Sequence, residues 1–564
     1  MSTTIAKPKN REKAMAMAQS KTTSKTNVTP EKTQAQMKVA AKKAAAPKKQ
    51  KSIEETLWDS ANKLRGSIEP SEYKHVVLGL IFLKFVSDMF EERRKELIAE
   101  GKEDYTEMVE FYTMKNVFYL PEESRWSYIK KHAKQPDIAI KIDTALHDIE
   151  KKNKALKGAL PDNYFSRIGL DTSKLSALID TINNIHTLKD KSQDIVGRVY
   201  EYFLSKFALA EGKGKGEFYT PKTIVNLIAE MIEPYKGKIY DPCCGSGGMF
   251  VQSIKFVENH QGNTKDISIY GQEGTNTTYK LAKMNLAIRG ISANLGEMAA
   301  DSFAKDLHPD LKADYIIANP PFNLKDWRAD NELTNDPRWS GYEVPPTSNA
   351  NYGWILHMLS KLSENGVAGF LLANGALSGD GQEKAIRRKM IENKVVEAVV
   401  ILPRSMFYTT DISVTLWILN KNKKARTIKH GDIERHYRDR EDEILFMDLR
   451  QWGEPFEKKF TQFSEKHIQD IAKTYHTWQQ VIAKDEYQNV PEFCYSAELE
   501  DVRGKDYSLV PSKYIEFINR DENIDFNEKM ASLQDEFATL LKAELQSKQG
   551  LLNVFEELGY AIKL

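Results

Sequence analysis

Two short stretches of the chain carry residue types that suit chemistry on a small polar ligand. The first, Asp241–Phe250 (DPCCGSGGMF), follows an apolar pair and contains three glycines. Glycine lacks a Cβ atom, so the backbone of such a turn can approach a ligand closely, and a helix that follows offers unpaired N–H groups. The Asp241 carboxylate at the strand end could accept a hydrogen bond from a ligand amino group. A tight strand–helix turn that binds nothing would have the same features.

The second stretch is Asn319–Phe322 (NPPF), which follows the apolar segment Ala313–Ala318. Its two prolines remove two N–H donors and fix the backbone. Acceptors remain, namely the Asn319 side-chain oxygen and the Pro320 carbonyl, and these suit a substrate –NH2 group whose lone pair attacks an electrophile. The ring of Phe322 offers a flat face to a planar base. A plain Pro-Pro turn at a strand end is the alternative for this motif alone.

The elements around the two motifs predict a parallel sheet that would bring them together. Ligands of open α/β sheets bind at the carboxyl ends of the strands, and roughly seventy residues separate the motifs, about two βαβ units plus a strand. Neither a G-x-G-x-x-G nor a G-x-x-x-x-G-K-[ST] pattern is present, which argues against dinucleotide and nucleotide-phosphate sites. Further alternating segments and a final antiparallel strand at Ser413–Leu419 predict seven strands in all.

Composition is that of a globular protein, with 41% hydrophobic and 29% charged residues in 564. The three cysteines show neither a disulfide framework nor zinc-ligand spacing, so we expect a reduced cytoplasmic protein without a metal site. The net charge of +1 divides into +11 for residues 1–51 and −10 for the remainder. The run Val76–Val86 is too short to cross a bilayer and predicts a buried helix, so we expect no membrane association.

These patterns divide the chain into five predicted segments. Residues 1–51 form a disordered basic tail that could add phosphate contacts. Asp171 is a helix N-cap candidate within the second segment. In the last segment an amphipathic helix from Asn523 is interrupted at Gly550, and we expect it to bind a partner helix, with packing on its own domain as the alternative. The segments are the tail (1–51), an N-terminal helical domain (52–190), a catalytic domain (191–425), a peripheral mixed region (426–522) and C-terminal amphipathic helices (523–564).

Together with Gly216–Pro221 (GEFYTP), the two motifs resemble those of amino-group methyltransferases that use S-adenosylmethionine. Their order is similar to that of the γ class of DNA adenine-N6 methyltransferases, and most of all to the modification subunit (HsdM) of type I restriction-modification systems. The resemblance implies a Rossmann-like α/β methyltransferase fold with a seven-stranded sheet, an N-terminal helical domain and a C-terminal helical tail. It also rests on Gly271–Glu273, Leu281–Leu286, Asp301–Phe303 and Asn349–Trp354.

The resemblance further implies the roles of individual residues. The catalytic set is Asn319, Pro320, Pro321 and Phe322. The cofactor S-adenosylmethionine would meet Glu273 at its ribose hydroxyls and Asp301 at its adenine amine, and no metal would be needed. The full cofactor set is Glu217, Phe218, Tyr219, Thr220, Pro221 and Lys222 over the methionine end, with Asp241, Gly245, Ser246, Gly247, Gly248, Glu273 and Asp301. Thr220 and Pro221 are also a start signal for the helix Lys222–Ile232.

The implied function is site-specific methylation of a flipped-out adenine at N6 in double-stranded DNA. The implied partners are a specificity subunit (HsdS), with two copies of this chain for each one, and a restriction subunit (HsdR). The long segment Asn323–Asn351 is a candidate for closing over the extruded base. The alternatives are methylation of a protein glutamine or an RNA base, and a non-catalytic DNA-binding or scaffold subunit. An intact Asn319–Phe322 argues against the last, and phenylalanine rather than tyrosine at Phe322 argues against the others.

Overall fold

The computed structural model describes residues 58, 70–184, 201–203, 206, 220–407, 411–430, 433–456, 459–481, 486–518 and 525–560. The predicted basic tail lies outside the described residues, as do Glu217, Phe218 and Tyr219 of the predicted cofactor site. All of the architecture below belongs to one unit, Thr56–Leu564.

The N-terminal part of the described chain is helical. The apolar run Val76–Val86 lies within the first helix, almost wholly buried, as expected for a helix that is apolar on every side. Asp171 caps the last of these helices, since its carboxylate accepts from the N–H groups of Ser173 and Lys174. The helices are α1 (Pro70–Ala99), α2 (Glu110–Thr113), α3 (Trp126–Lys131), α4 (Ile138–Lys152), α5 (Tyr164–Ile168) and α6 (Thr172–Asn183).

A nine-stranded sheet forms the centre of the following part, in the order β13-β10-β6-β7-β5-β4-β1-β2-β3. Within its seven-stranded portion, β6 to β3, every pairing is parallel except those of β7. The strands are β1 (Gly237–Asp241), β2 (Ile267–Gly271), β3 (Ala293–Asn294), β4 (Ala313–Ala318), β5 (Leu362–Ala373), β6 (Val396–Ile401), β7 (Val414–Asn420), β10 (Glu443–Asp448) and β13 (Cys494–Glu498).

The predicted α/β methyltransferase fold is therefore present, with two differences in detail. The antiparallel strand β7 is inserted between β5 and β6 and does not end the sheet. The region predicted as peripheral adds β10 and β13 to the edge of the same sheet, because the apolar Glu443–Asp448 pairs in parallel with β6. It also holds two hairpins, β8 (Arg426–His430) with β9 (Ile433–Tyr437) and β11 (Glu454–Phe456) with β12 (Phe460–Gln462).

Helices cover both faces of the sheet. They are α7 (Lys222–Ile232), α8 (Gly248–Asn259), α9 (Asn276–Ile288), α10 (Asn351–Lys361), α11 (Gln382–Glu392), α12 (Glu465–Gln479) and α13 (Leu499–Gly504). No helix in the described part of the chain is long and apolar enough to cross a membrane.

Helix α9 joins the helical domain to the sheet. One of its faces belongs to the hydrophobic core of the helical domain, through Leu281, Met284 and Ile288. Lys280 extends the contact by donating to the carbonyl of Leu160 at 2.9 Å. On the same helix, the Asn285 amide donates to the carbonyl of Ser246 at 2.7 Å. A single helix thus supports the glycine turn and carries the packing of the N-terminal domain.

The last helix, α14 (Phe526–Glu557), begins at the N-cap Asp525 and runs for 32 residues. The predicted interruption at Gly550 is wrong, since the helix continues through it. Glycine in a helix interior costs only about 1 kcal/mol relative to alanine and removes no backbone hydrogen bond, so one glycine does not break a long helix. No residue of α14 is buried.

Candidate functional site

The two motifs meet at the carboxyl edge of the sheet. β1 and β4 are parallel neighbours, with Ile239 opposite Tyr315 and Tyr240 opposite Ile316, so the residues that follow each strand emerge side by side. One cavity at this edge is lined from both motifs and from the start of α7, by residues that include Asp241, Gly245, Ser246, Gly248, Asn319, Thr220 and Lys222. This is the arrangement that the sequence predicts.

The glycine turn has a backbone that only glycine adopts readily. Gly245 has φ +54° and Gly247 has φ +78°, and a Cβ on Gly247 would come within 3.4 Å of Leu286. Gly247 is the N-cap of α8, and no side chain among the described residues caps that helix. The first N–H groups of α8 therefore remain available to polar atoms of a ligand.

Asp241 is buried, with 1% of its surface exposed. Its Oδ1 accepts from the backbone N–H of Cys243 at 3.0 Å and from the thiol of Cys243 at 3.5 Å. Burial raises the pKa of Asp241 to about 7, the Cys243 hydrogen bonds oppose the rise, and the nearby charge of Glu273 adds to it. Burial also raises the pKa of the Cys243 and Cys244 thiols well above their usual range, so both stay protonated.

Glu273 follows β2 and holds the glycine turn. One carboxylate oxygen accepts from the N–H of Gly245 at 3.0 Å, and the other accepts from the N–H of Thr275 at 2.8 Å. The carboxylate is thus fixed in direction before any ligand arrives.

Asp301 is exposed and closes a local turn, where its Oδ1 accepts from the N–H groups of Phe303 and Ala304 at 2.8 Å each. Phe303 is buried between Trp327 and Trp354, with ring centroids 4.3 and 4.2 Å away. Its ring is therefore a packing element beneath this turn and offers no free face to a ligand.

One side-chain acceptor of the tetrapeptide Asn319–Phe322 has no partner in the described part of the chain. The Asn319 Nδ2 donates to the hydroxyl oxygen of Thr220 at 2.9 Å, which turns the amide oxygen the other way. That oxygen is buried and has no hydrogen-bond partner among the described residues. A buried acceptor without a partner is costly unless a ligand supplies the donor.

Thr220 does not cap α7 as the sequence predicts. The N-cap residue is Pro221, and no side chain caps this helix. The Thr220 hydroxyl is instead engaged by the Asn319 amide, ninety-nine positions along the chain. Pro221 is buried and Lys222 is exposed at the cavity.

A second aromatic ring, which sequence reasoning missed, lies beside Phe322. Phe407 follows β6, which ends at the same edge of the sheet, and its ring meets that of Phe322 at 6.1 Å and 83°, an edge-to-face contact. The sequence signal that could have found Phe407 is an aromatic residue a few positions after the apolar segment Val396–Ile401.

The long segment after the tetrapeptide is folded against the site. Trp327 donates to the carbonyl of Pro346 at 2.8 Å, and Arg338 donates to the carbonyls of Ser302 and Phe303 at 2.8 Å each. The segment therefore packs over the turn that Asp301 closes.

A larger cavity, of about 500 Å3, lies at the opposite edge of the sheet. The cavity lies near the first residues of the parallel strands. Its lining includes Gly237 and Asp314 from those strands and Arg426 and Tyr437 from the β8–β9 hairpin. It contains neither motif. Within the described ranges, no group of three or more His, Cys, Asp or Glu side chains could hold a metal ion.

Comparisons with known proteins identify the family to which the chain belongs. Residues 191–523 match the family model described as N-6 DNA Methylase, and residues 53–182 match that of the HsdM N-terminal domain. The HindI type I restriction enzyme methylase subunit of Haemophilus influenzae is 42% identical over 73% of this chain and 92% of its own length. The MjaIX methylase subunit of Methanocaldococcus jannaschii is 35% identical over 90% of this chain and 92% of its own.

Solved structures show the same fold. The methyltransferase subunit of a type I restriction-modification system from Streptococcus thermophilus superposes with a TM-score of 0.66 at 21% identity, over 82% of this chain and 99% of that one. A modification subunit of a type I restriction enzyme from Vibrio vulnificus gives 0.56 at 20% identity, over 81% and 94%.

A Rossmann-like sheet, a glycine turn and an Asn-Pro-Pro-Phe strand end define an amino-group methyltransferase. The chain belongs to the N-6 DNA methylase family, as the methylase subunit of a type I restriction-modification enzyme, and it methylates adenine at N6 in DNA. It is one subunit of a multi-subunit enzyme. This assignment favours DNA adenine over protein glutamine or an RNA base, and it favours a catalytic subunit over a scaffold.

Proposed function

We propose that Asn319, Pro320, Pro321 and Phe322 bind the target adenine beside a methyl donor held at the glycine turn. The observation that carries this assignment is the buried Asn319 Oδ1 that has no partner in the described part of the chain. Thr220 holds the amide so that an acceptor, and no donor, faces the cavity. An exocyclic amine is the group that would satisfy that acceptor.

Residues that line the cavity, together with Glu273 and Asp301 outside its lining, have the chemistry to bind S-adenosylmethionine as the donor. When bound, that cofactor supplies an electrophilic methyl group on a positively charged sulfur. Glu273 would accept from the ribose hydroxyls and Asp301 from the adenine amine, while Asp241 and the free N–H groups of α8 would meet polar atoms of the methionine part. The residues from Glu217 to Lys222 would cover that part, with Gly245 to Gly248 giving the close approach.

Asn319 and Pro320 would fix the substrate nitrogen. The Asn319 Oδ1 and the Pro320 carbonyl each accept one N6 hydrogen, which directs the nitrogen lone pair away from both and into the cavity. The same two oxygens stabilise the positive charge that grows on N6, because they are fixed dipoles, and a proton leaves once the methylated nitrogen is positive and acidic. Holding the amine in this orientation supplies most of the acceleration.

The two aromatic rings would hold the base once it leaves the duplex. Flipping an adenine out costs a few kcal/mol of unstacking and unpairing. Stacking on Phe322 returns about 1–3 kcal/mol. Phe407, edge-on to Phe322, fixes the ring plane on which the base stacks.

We also propose that α14 binds the specificity subunit, and that two copies of this chain bind each specificity subunit. This assembly acts on double-stranded DNA, and a restriction subunit joins it in the complete enzyme. The helix buries none of its residues, and Phe537 is 63% exposed. Within each of two runs, exposed apolar positions recur at spacings of three and four, which is the pattern of a helix that packs on another helix. The first run is Met530, Leu533, Phe537, Leu540, Leu541 and Leu545, and the second is Leu551, Val554 and Leu558.

The experiment follows labelled methyl transfer from S-adenosylmethionine to DNA that lacks adenine methylation. The chain is tested alone and with its specificity subunit, as wild type, as Asn319→Ala and as Asn393→Ala. The last is a matched control, because Asn393 is exposed and its amide ties the same long segment at Tyr342, with a 2.9 Å bond. Label on adenine N6 that needs the partner and is lost only in Asn319→Ala is the expected result.

Two other results would change the assignment. Full activity of Asn319→Ala would refute the role of the tetrapeptide. Label on DNA without the specificity subunit would place sequence recognition within this chain and remove the role proposed for α14.

A further inference from the structure

The residue that follows the tetrapeptide has a backbone conformation unusual for a side-chain-bearing residue. Asn323 has φ +53°, in the left-handed region. Asparagine tolerates this region better than other residues because its short amide bonds locally. The chain therefore turns sharply as soon as it has passed Phe322, and whatever holds Asn323 also fixes the end of the catalytic motif.

Asn323 is held by a reciprocal pair of hydrogen bonds to Asn351. The backbone N–H of Asn323 donates to the Asn351 Oδ1 at 3.0 Å, and the Asn351 Nδ2 donates to the Asn323 Oδ1 at 2.9 Å. Because one atom of the Asn351 amide accepts and the other donates, rotating the amide by 180° would oppose donor to donor and acceptor to acceptor. The pair thus has a single arrangement.

A third amide reinforces this arrangement. Asn349 donates to the Asn323 Oδ1 at 3.2 Å and accepts from the N–H of Asn351 at 2.9 Å. The N–H of Ala350 donates to the carbonyl of Leu324 at 2.9 Å, which joins the two chain segments once more. We refer to Asn323, Asn349 and Asn351 as the amide clamp.

The fixed side of the clamp is the start of α10. Asn351 is its first residue and only 1% exposed. The next residue, Tyr352, is fully buried and donates to the carbonyl of Ala376 at 2.7 Å. Helix α10 is buried along most of its length, so the clamp ties the catalytic motif to the hydrophobic core.

We infer that Asn351 is a positioning residue for methyl transfer, acting through Asn323 on the tetrapeptide. Asn351 is not among the residues that line the cavity. Hydrogen bonds fix the tetrapeptide at both ends. At its first residue the Asn319 side chain bonds to Thr220, and just after its last residue Asn323 bonds to Asn351. The inference rests on the role proposed above for Asn319 and Phe322.

Single-turnover methyl transfer by the complete complex, at saturating DNA and S-adenosylmethionine, tests this role. Asn351→Ala should lower the rate constant about ten- to a hundredfold, because a displacement of 1 Å in a reacting group costs about that much. Its dissociation constant for S-adenosylmethionine should change less than about twofold, since the clamp leaves the glycine turn intact. If Asn351 had only a structural role, Asn351→Ala would lower the fraction of active complex, seen as a smaller reaction amplitude, or the melting temperature. The rate constant per active site would then be unchanged.

Asn323→Gly provides a second variant in case Asn351→Ala folds poorly. Asn323 is exposed, and glycine keeps both the left-handed backbone and the N–H donor while removing the side-chain acceptor. Its rate constant should fall less than that of Asn351→Ala. In the double variant the two losses should not multiply, because they break one pair of interactions. Asn393→Ala, the matched control, should leave the rate unchanged and should not couple to Asn323→Gly.

The outcomes separate this inference from the proposed function. Wild-type rates for Asn351→Ala and Asn323→Gly alongside an inactive Asn319→Ala would overturn the clamp and leave the tetrapeptide in its role. Multiplying losses in the double variant would likewise overturn it. A fully active Asn319→Ala would overturn the proposed site and the inference together.

Discussion

The hydrogen bond from Asn319 to Thr220 leads to a specific prediction for Thr220→Val. Valine has nearly the shape of threonine but cannot accept a hydrogen bond. In the protein the Thr220 hydroxyl oxygen lies 2.9 Å from the Asn319 Nδ2, and this contact decides which atom of the amide faces the cavity. Without it the amide can rotate and present its donor to the substrate amine.

The size of the effect follows from the buried amide. To keep its oxygen towards the substrate, the variant must leave the Asn319 Nδ2 without a partner, which costs about 1–3 kcal/mol. At 1.36 kcal/mol for each factor of ten, the rate constant should fall about five- to 150-fold. Binding of S-adenosylmethionine should change less than the rate constant, because the glycine turn and Glu273 are untouched and valine keeps the size of the side chain that Thr220 presents to the cavity.

The assay is single-turnover transfer of labelled methyl by the assembled complex, with cofactor affinity measured by calorimetry. Thr220→Ser is the matched control, since it keeps the hydroxyl and should retain most of the rate. An unchanged rate in Thr220→Val would refute the orientation argument. A loss confined to cofactor affinity would show that Thr220 acts only as a cofactor contact, the role that the family resemblance implies, and would refute its effect on Asn319.

Three other predictions concern the glycine turn and the last helix. Burial raises the pKa of Asp241 from 3.8 to about 7, so between these pH values the folded protein binds more protons than the unfolded chain. The unfolding free energy without ligand, measured by denaturant titration, should therefore fall by about 2–3 kcal/mol from pH 5 to 7.5. The same pH dependence of the unfolding free energy in wild type and Asp241→Asn would contradict this. Gly247→Ala places a side chain on left-handed backbone, 3.4 Å from Leu286, and should weaken cofactor binding as measured by calorimetry. Gly504→Ala is the control, because its added Cβ meets no atom within 4 Å, and it should leave cofactor binding unchanged. Deletion of 525–564 should abolish co-purification with the specificity subunit and leave the melting temperature unchanged, because α14 buries no residue; a lower melting temperature would show that the helix packs on its own domain.

Features set by neighbouring residues could be predicted from the sequence. The glycine turn needs left-handed backbone at Gly245 and Gly247, which is a local requirement visible in the residue types. Asp171 caps a helix through N–H groups two and three positions away. The apolar segment Ala313–Ala318 forms a strand that ends at Asn319, as its composition indicates. Each of these depends on fewer than ten consecutive residues.

Features that depend on partners far along the chain could not be predicted. Thr220 looks like a helix cap, yet Asn319, nearly a hundred residues later, takes its hydroxyl. Phe407 comes to lie against Phe322 only because β6 and β4 end at one edge of the sheet. The position of β7 between β5 and β6 could not be predicted either, because the composition of a strand does not determine which strands it pairs with.

The sequence by itself determined the type of chemistry. Prolines that offer only hydrogen-bond acceptors, an aromatic ring and a glycine turn are properties of a few consecutive residue types. Tertiary structure decided the orientation of that chemistry. Which atom of the Asn319 amide faces the cavity is set by Thr220, and where the tetrapeptide ends is set by the bond between Asn323 and Asn351. A side-chain amide has two nearly equivalent orientations, and only a partner brought in by the fold can select one of them.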